Sequence, residues 1–382
     1  MFQALSTSAN TNVTMQLLPS AAKLLASTDL VTKKLASWYV AHHSTANSDV
    51  SILAINTLVM DMHDPNPVVR SLAVRTLARI QLPELSEHGI NAVTCGLKDS
   101  DVVVRRAAVL GCVQIFRMAP SAILDGGLVD RLYALIRDPD PIVVVNCLDA
   151  LQEILADEGG VVINRNMARY LLQRLESFPE PQCATVLQYM MRYHPRDEAE
   201  ALDLINAVDT FLDSSNAVVI ILALRYFLSI VSQSGLGHLQ TDIVTRAEHS
   251  LIRLVSADAH ETVYAVIQFM RQELVGKFTE ILSRHYPALL CRSNDPAYLK
   301  VVKIQLLAEI VDSGSVRPVL DELRMQSRSK SPKVINFVAY VMTFTSWYLL
   351  LLILLSPSID IFTDSAVKLR NFRHRTLPQA DL

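Results

Sequence analysis

Glycine is scarce in this chain, at 11 of 382 positions. A β-rich fold draws on glycine at its tight turns, so the shortage favours helices over a turn-rich sheet protein. Cysteine is scarcer: Cys95, Cys112, Cys147, Cys183 and Cys291 are widely spaced and no two form a CxxC pair. An odd count at such spacing argues against a secreted disulfide scaffold and against a zinc module. Cys112 and Cys147 fall on apolar helical faces, where a thiol serves as a small core residue. Positive charge is not in surplus either. A formal net charge of -3 leaves no basic excess to neutralise a phosphate backbone, which speaks against nucleic acid as a partner.

Signatures of chemistry are missing as well. The chain has no phosphate loop, no GxSxG elbow, no HExxH and no dinucleotide fingerprint, the patterns that would place a nucleophile, a metal or a cofactor. Gly126-Gly127 and Gly159-Gly160 are not followed by Gly-Lys-Ser/Thr and are expected at helix ends or loops. His42 and His43 are adjacent, and neighbours on a helix point about 100° apart, which suits a surface better than a two-ligand metal site. "PRDEAEALD", 195–203, reads as the acidic first turn of a helix after Pro195. No enzyme activity, no cofactor and no metal are expected. The opening "MFQALSTSANTNVTMQLLPSAAKLLAS" has no basic region ahead of its apolar stretch, so it makes a poor signal peptide and the cytosol is the expected compartment.

What is present is helical periodicity. In "HDPNPVVRSLAVRTLARI", residues 63–80, Val69, Leu72, Ala73, Leu77 and Ile80 share one face. Asp64 precedes Arg70 by six positions, and in "DSDVVVRRAAVLGCVQI" Asp99 precedes Arg105 by six. Similar openings recur near Asp64, Asp99, Asp138, Ser177, Asp213, Ala257, Ser293 and Ser329, at intervals of 35 to 44 residues. Two-helix repeats of the HEAT and armadillo kind run to roughly 40–47 residues. Second helical stretches such as "VDRLYALIRD" (129–138) and "MARYLLQRLESF" (167–178) fill the intervals.

The openings obey helix-start rules. Asp or Asn can cap the free N–H groups, and Pro67 and Pro141 suit the first turn, where no donor is needed. After Pro141, the residues Val143, Asn146, Cys147, Ala150, Leu151 and Ile154 share a face. Small residues such as Ala73, Ala108 and Gly111 allow close helix approach. The expected fold is all-α: a right-handed helical-repeat solenoid of HEAT/armadillo-like type, truncated. Asp64, Arg70, Asp99 and Arg105 are read as a structural ladder that staples neighbouring repeats, with a ligand-binding arginine row as the alternative. The ladder lapses at Val144 and Val219. An exposed rung of this kind contributes ~0.2–1 kcal/mol.

At "DPNPVVRSLAVRTL" the sequence resembles the β-adaptins, the large β subunits of the heterotetrameric adaptor complexes of vesicle coats. The resemblance continues through "KKLASWYV" (33–40), "SILAINTLVMD" (51–61), "DVVVRRAAVLGC" (101–112), "YHPRDEAEA" (193–201) and "NDPAYLKVVKIQLLAEI" (294–310). "VRRAAVLGC" (104–112) and "DPIVVVNCLDALQEILADEGGVVIN" (140–164) are most similar to the β subunit of the fourth complex. It covers roughly residues 16–340. The resemblance implies a helical trunk that pairs with an epsilon-type large subunit and cradles the medium and small chains. It also implies peripheral recruitment to trans-Golgi network or endosomal membranes by an Arf-family GTPase, with cargo sorting as the outcome. Ile52 and Ile55 match the positions that would touch that GTPase; the alternative is that both are core. A generic HEAT scaffold, of the nuclear-transport-receptor or phosphatase-scaffold type, is the rival reading, and a short form that does not assemble is another.

By this division residues 1–15 are a polar leader, 16–336 the trunk, 337–355 an apolar segment and 356–382 a basic, disordered tail. The family's basic stretch before residue 16 is lacking, and the hinge and C-terminal appendage are missing. The likeness fails between Met325 and Tyr340. "FVAYVMTFTSWYLLLLILL" then runs from 337 to 355 without a charge, long enough to span a bilayer at roughly 17–25 residues. Trp347 and Tyr348 sit in its middle rather than at its ends, where interfacial aromatics belong. A tail anchor, a buried helix that ends the solenoid, and sequence foreign to the family remain as three readings of this segment.

Overall fold

The computed structural model describes residues 11–344, apart from 47, 81, 83–85, 313 and 330. Every regular element among the described residues is helical, and no strand occurs among them. The expected all-α helical-repeat solenoid is the architecture found, and the described residues divide after Val208 into two compact units.

The first unit contains α1 (Thr11–Leu24), α2 (Leu30–His43), α3 (Ser48–Asp61), α4 (Pro67–Leu77), α5 (Ser86–Gly96) and α6 (Val102–Met118). It continues with α7 (Leu128–Leu135), α8 (Pro141–Ile154), α9 (Arg165–Gln173), α10 (Glu180–Met190) and α11 (Glu198–Val208). Helices α4, α6, α8 and α10 form one row, each packed on the next, with α5 and α7 laid against α6 and α8. Helix α1 begins at Thr11, within the stretch 1–15 expected as a polar leader; residues 1–10 lie outside the described residues.

One turn chemistry starts the helices of this row. Asn66 caps α4 by accepting the Val68 N–H at 2.9 Å. Asp101 caps α6 through the Val103 N–H at 2.8 Å, and Asp140 caps α8 through the Val143 N–H at 2.9 Å. Pro67 and Pro141 occupy the first turns, as their spacing predicts. Two residues before each cap, a carboxylate accepts the cap's own N–H: Asp64 from Asn66 at 2.8 Å, Asp99 from Asp101 at 2.8 Å and Asp138 from Asp140 at 2.9 Å. An aspartate that bonds the backbone two residues on is an Asx turn, so turn and cap are set by three consecutive residues.

The core faces follow the periodicity and exceed it. Val69, Ala73, Leu77 and Ile80 are buried, while Leu72 is half-buried. Helix α8 buries Val143, Cys147, Ala150, Leu151 and Ile154, and Val144 and Leu148 besides. A helix inside a repeat stack has a neighbour on each side, so it buries more than one stripe. Gly111 is required where α6 crosses α5: a Cβ there would stand 2.8 Å from Val93 Cγ2 and 3.1 Å from Ala78 Cβ. Cys112 and Cys147 are fully buried. Burial pushes the Cys112 thiol up to about 12 and raises that of Cys147 as well.

The second unit contains α12 (Ala217–Gln233), α13 (Gln240–Val255), α14 (His260–Phe269), α15 (Ala297–Ile310), α16 (Val316–Gln326) and α17 (Pro332–Phe344). Asn216 caps α12, and its own N–H is accepted by the Ser214 hydroxyl at 3.1 Å. The opening therefore registers on Ser214 rather than Asp213, and the vacant ladder position is Ile220 rather than Val219. On α15, Lys303 is buried and bonded to Asp295 at 2.6 Å. Helix α17 takes in the first positions of the apolar run 337–355. The remainder of that run, with Trp347 and Tyr348, and the basic tail 356–382 lie outside the described residues. Among the described residues no helix is long and apolar enough to cross a membrane.

Candidate functional site

Arg70 spans two repeats. Its Nε and Nη2 each donate to Asp99 at 2.8 Å, and its Nη1 donates to the carbonyls of Asp64 at 3.0 Å and Pro65 at 3.1 Å. Arg105 repeats the arrangement one step along. It donates to Asp138 at 2.7 and 3.0 Å, to the Asp99 carbonyl at 3.0 Å and to the Ser100 carbonyl at 2.8 Å. Each guanidinium thus holds the carbonyls of its own turn and the acid of the next, while that acid holds the next cap. Lys33 on α2 makes a simpler bridge to Asp61 of α3 at 2.6 Å.

These rungs differ from the exposed pairs expected. The side chains of Arg105 and Asp138 are 13% and 4% exposed. Bidentate, charge-assisted hydrogen bonds out of water are stronger than a solvated pair, and loss of one partner strands the other. The hydrogen bond from Arg70 holds the Asp99 carboxyl below its usual range, against the upward push of desolvation.

Where the ladder lapses, an arginine from elsewhere fills the turn. Beside Val144, Arg174 donates to the carbonyls of Asp138 and Pro139, at 2.7 Å each. Arg253 donates to the Ser214 carbonyl at 2.7 Å beside Ile220. Arg292 donates to the carbonyls of Ser256 at 2.9 Å and Ala257 at 3.5 Å. These three come from the chain 35 to 39 residues downstream, so a search at a spacing of six misses them. A base near the end of the following helix is the signal that finds them. Glu200 lies in the first turn of α11, as the sequence predicts, and is buried there. It accepts from Arg165 Nε at 2.7 Å, the Tyr193 hydroxyl at 3.0 Å and the Arg196 N–H at 3.0 Å.

The structure separates Ile52 from Ile55. Ile55 is 3% exposed and packs in the core with Leu18, Tyr39 and Leu58, whereas Ile52 is 44% exposed, next to the exposed Leu53. A three-residue step turns the helix by about 300°, enough to carry one isoleucine across the edge of the buried stripe. On α2, Val31, Leu35 and Trp38 form an exposed stripe at helical spacing. His42 stacks on Trp38 with centroids 5.2 Å apart. His43 is half-buried against Tyr39, and desolvation lowers its pKa. Among the described residues no group of three His, Cys, Asp or Glu is placed to hold a metal ion.

Residues 5–349 match the family described as the Adaptin N terminal region. That match takes in most of the leader and the first part of the apolar run. AP-4 complex subunit beta-1 of Mus musculus is 40% identical over 305 residues, covering 79% of this chain and 40% of that protein. AP-1 complex subunit beta-1 of Mus musculus is 28% identical over 313 residues, covering 81% of this chain and 33% of that protein. The chain therefore spans less than half the length of these relatives. Among known structures, a chain of the homology model of the full-length AP-3 complex in an intermediate open conformation superposes with a TM-score of 0.56. The identity is 17%, over 90% of this chain and 63% of that one, a likeness of fold.

Proposed function

Because this chain belongs to the adaptin N-terminal region family, we propose that it is the trunk part of a β-type adaptor subunit, a non-catalytic scaffold of a vesicle coat. The observation that carries this is the 40% identity to a β subunit of the fourth complex, against 28% to a β subunit of the first. The construction fits: arginine rungs and filled turns tie repeat to repeat, as a scaffold that holds other proteins requires. Its partners in this reading are an epsilon-type large subunit and the medium and small chains. Its place is the cytoplasmic face of trans-Golgi network or endosomal membranes, reached through the assembled complex, and its work is cargo sorting.

Purification of the chain through an N-terminal tag, with mass spectrometry of what accompanies it, tests the reading. Recovery of an epsilon-type large subunit with a medium chain supports it. Recovery of chaperones alone overturns it for this chain.

Recruitment by an Arf-family GTPase belongs to the same proposal, with the two isoleucines in different roles. Ile52, exposed beside Leu53, offers apolar surface to the GTPase, while Ile55 holds α3 in place from the core. Ile52→Asp is expected to abolish capture by the GTP-loaded GTPase and to leave the thermal melt unchanged. Capture equal to the wild type would remove Ile52 from the contact.

A further inference from the structure

The row α4, α6 and α8 carries a surface groove of about 460 Å³ that the ladder does not fill. Its floor is made of small residues, Ala107, Gly111 and Ala150, which give it depth. On the α4 side stand Arg75 and Arg79, both exposed and neither in an ion pair among the described residues. Leu110 of α6, 50% exposed, forms an apolar step in the middle, beside Gln114. The α8 side contributes Asn146, Asp149 and Glu153.

The charges of the groove do not cancel. Glu153 is matched by Arg117 at 2.7 Å, and Asp149 accepts the Tyr189 hydroxyl at 2.7 Å. Two guanidinium groups remain unmatched at the α4 end, facing one carboxylate at the α8 end. Five other arginines of this unit, Arg70, Arg105, Arg106, Arg165 and Arg174, hold acids or carbonyls. A guanidinium is built to grip a carboxylate through two parallel bonds. The amides of Gln114 and Asn146 each donate and accept, which matches the alternating N–H and C=O groups of an extended backbone. Leu110 is wasted on a bare anion but provides a seat for an apolar side chain.

We propose that this groove binds an extended acidic segment of a partner protein. Its carboxylates lie on Arg75 and Arg79, an apolar side chain on Leu110, and its backbone on Gln114 and Asn146. Asp149 sets the direction by repelling acids at the far end. The site stands on the geometry of the first unit and not on the scaffold reading, so it is tested without any other subunit.

The probe is a short fluorescent Gly-Ser peptide carrying Glu-Glu-Leu, titrated with the 382-residue chain and read by polarisation, with a Lys-Lys-Leu version alongside. The acidic peptide is expected to bind and the basic one not. Arg75→Glu with Arg79→Glu is expected to weaken binding by about tenfold or more, the usual cost of reversing matched charges. Gln114→Ala with Asn146→Ala is expected to weaken it by about threefold or more, the loss of net hydrogen bonds to the backbone. Arg169→Glu, on the exposed side of α9, is expected to change nothing. Circular dichroism checks that each variant keeps its helices. Equal binding of the two peptides, or undiminished binding by the double arginine variant, overturns the proposal. So does displacement of the peptide by inorganic phosphate with no effect of Leu110→Asp, since the groove would then be an anion site without a peptide.

Discussion

Asp138 is as heavily used as Asp99 in the ladder. Its carboxylate takes the Arg105 guanidinium and the Asp140 N–H, and its carbonyl takes Arg174. Asp138→Ala is expected to destabilise the chain by about 3–5 kcal/mol in urea titration, because the half-buried Arg105 loses the carboxylate it is paired with. Arg117→Ala, which breaks a pair open to solvent, is expected to leave the urea midpoint unmoved. Asp99 makes the ladder sensitive to acid. Its folded pKa lies below the unfolded value because Arg70 bonds its charged form. Its stabilisation is therefore present above the unfolded value of about 3.9 and is lost as pH falls through the folded one. Asp99→Asn is expected to be less stable than the wild type at neutral pH and to lose less on passing below about pH 4. Urea titrations on both sides of that window measure the difference.

At the scale of the element, close packing outranks helix propensity. In an open helix Gly→Ala gains roughly 1 kcal/mol. At Gly111 the new methyl would meet Val93 at 2.8 Å and Ala78 at 3.1 Å, and overpacking costs about 1–3 kcal/mol. Gly111→Ala is thus expected to lower the melting temperature. Gly237→Ala, where nothing lies within 4 Å of the added carbon, is expected to leave it level or raise it. The helix starts show the opposite case, in which local chemistry is sufficient. An Asx turn followed two residues later by a cap and, twice, a proline needs no distant residue to define it. For that reason the openings at Asp64, Asp99 and Asp138 stand out in the sequence.

At the scale of the molecule, stability in a repeat stack is a sum over neighbours. Within the first unit α4, α6, α8 and α10 touch in succession. Loosening one rung is accordingly expected to loosen its own neighbourhood. In Asp138→Ala, amide exchange is expected to rise across Val102–Ile154 and to stay unchanged across Thr11–Asp61. A uniform rise through the unit would show a single cooperative block instead. The relatives of this chain are more than twice its matched length, so assembly into a coat is a property to be measured on the chain itself.

The sequence by itself determined the helical class, the repeat length, the capped turns and the acid–base spacing of six, and with them the family. Each depends on residues close together in the chain, where helix geometry relates spacing to position. Only the tertiary structure decided which apolar residues face a neighbour and which face water. Ile52 and Ile55 are the same residue type on the same helix, and the packing against Leu18 and Tyr39 buries one of them alone. It also decided that Arg174, Arg253 and Arg292 complete turns their own segments do not contain, and that Arg75 and Arg79 are left over. Partners 30 or more residues apart carry no spacing signal, because the length of each repeat varies and the stacking, not the chain, brings them together.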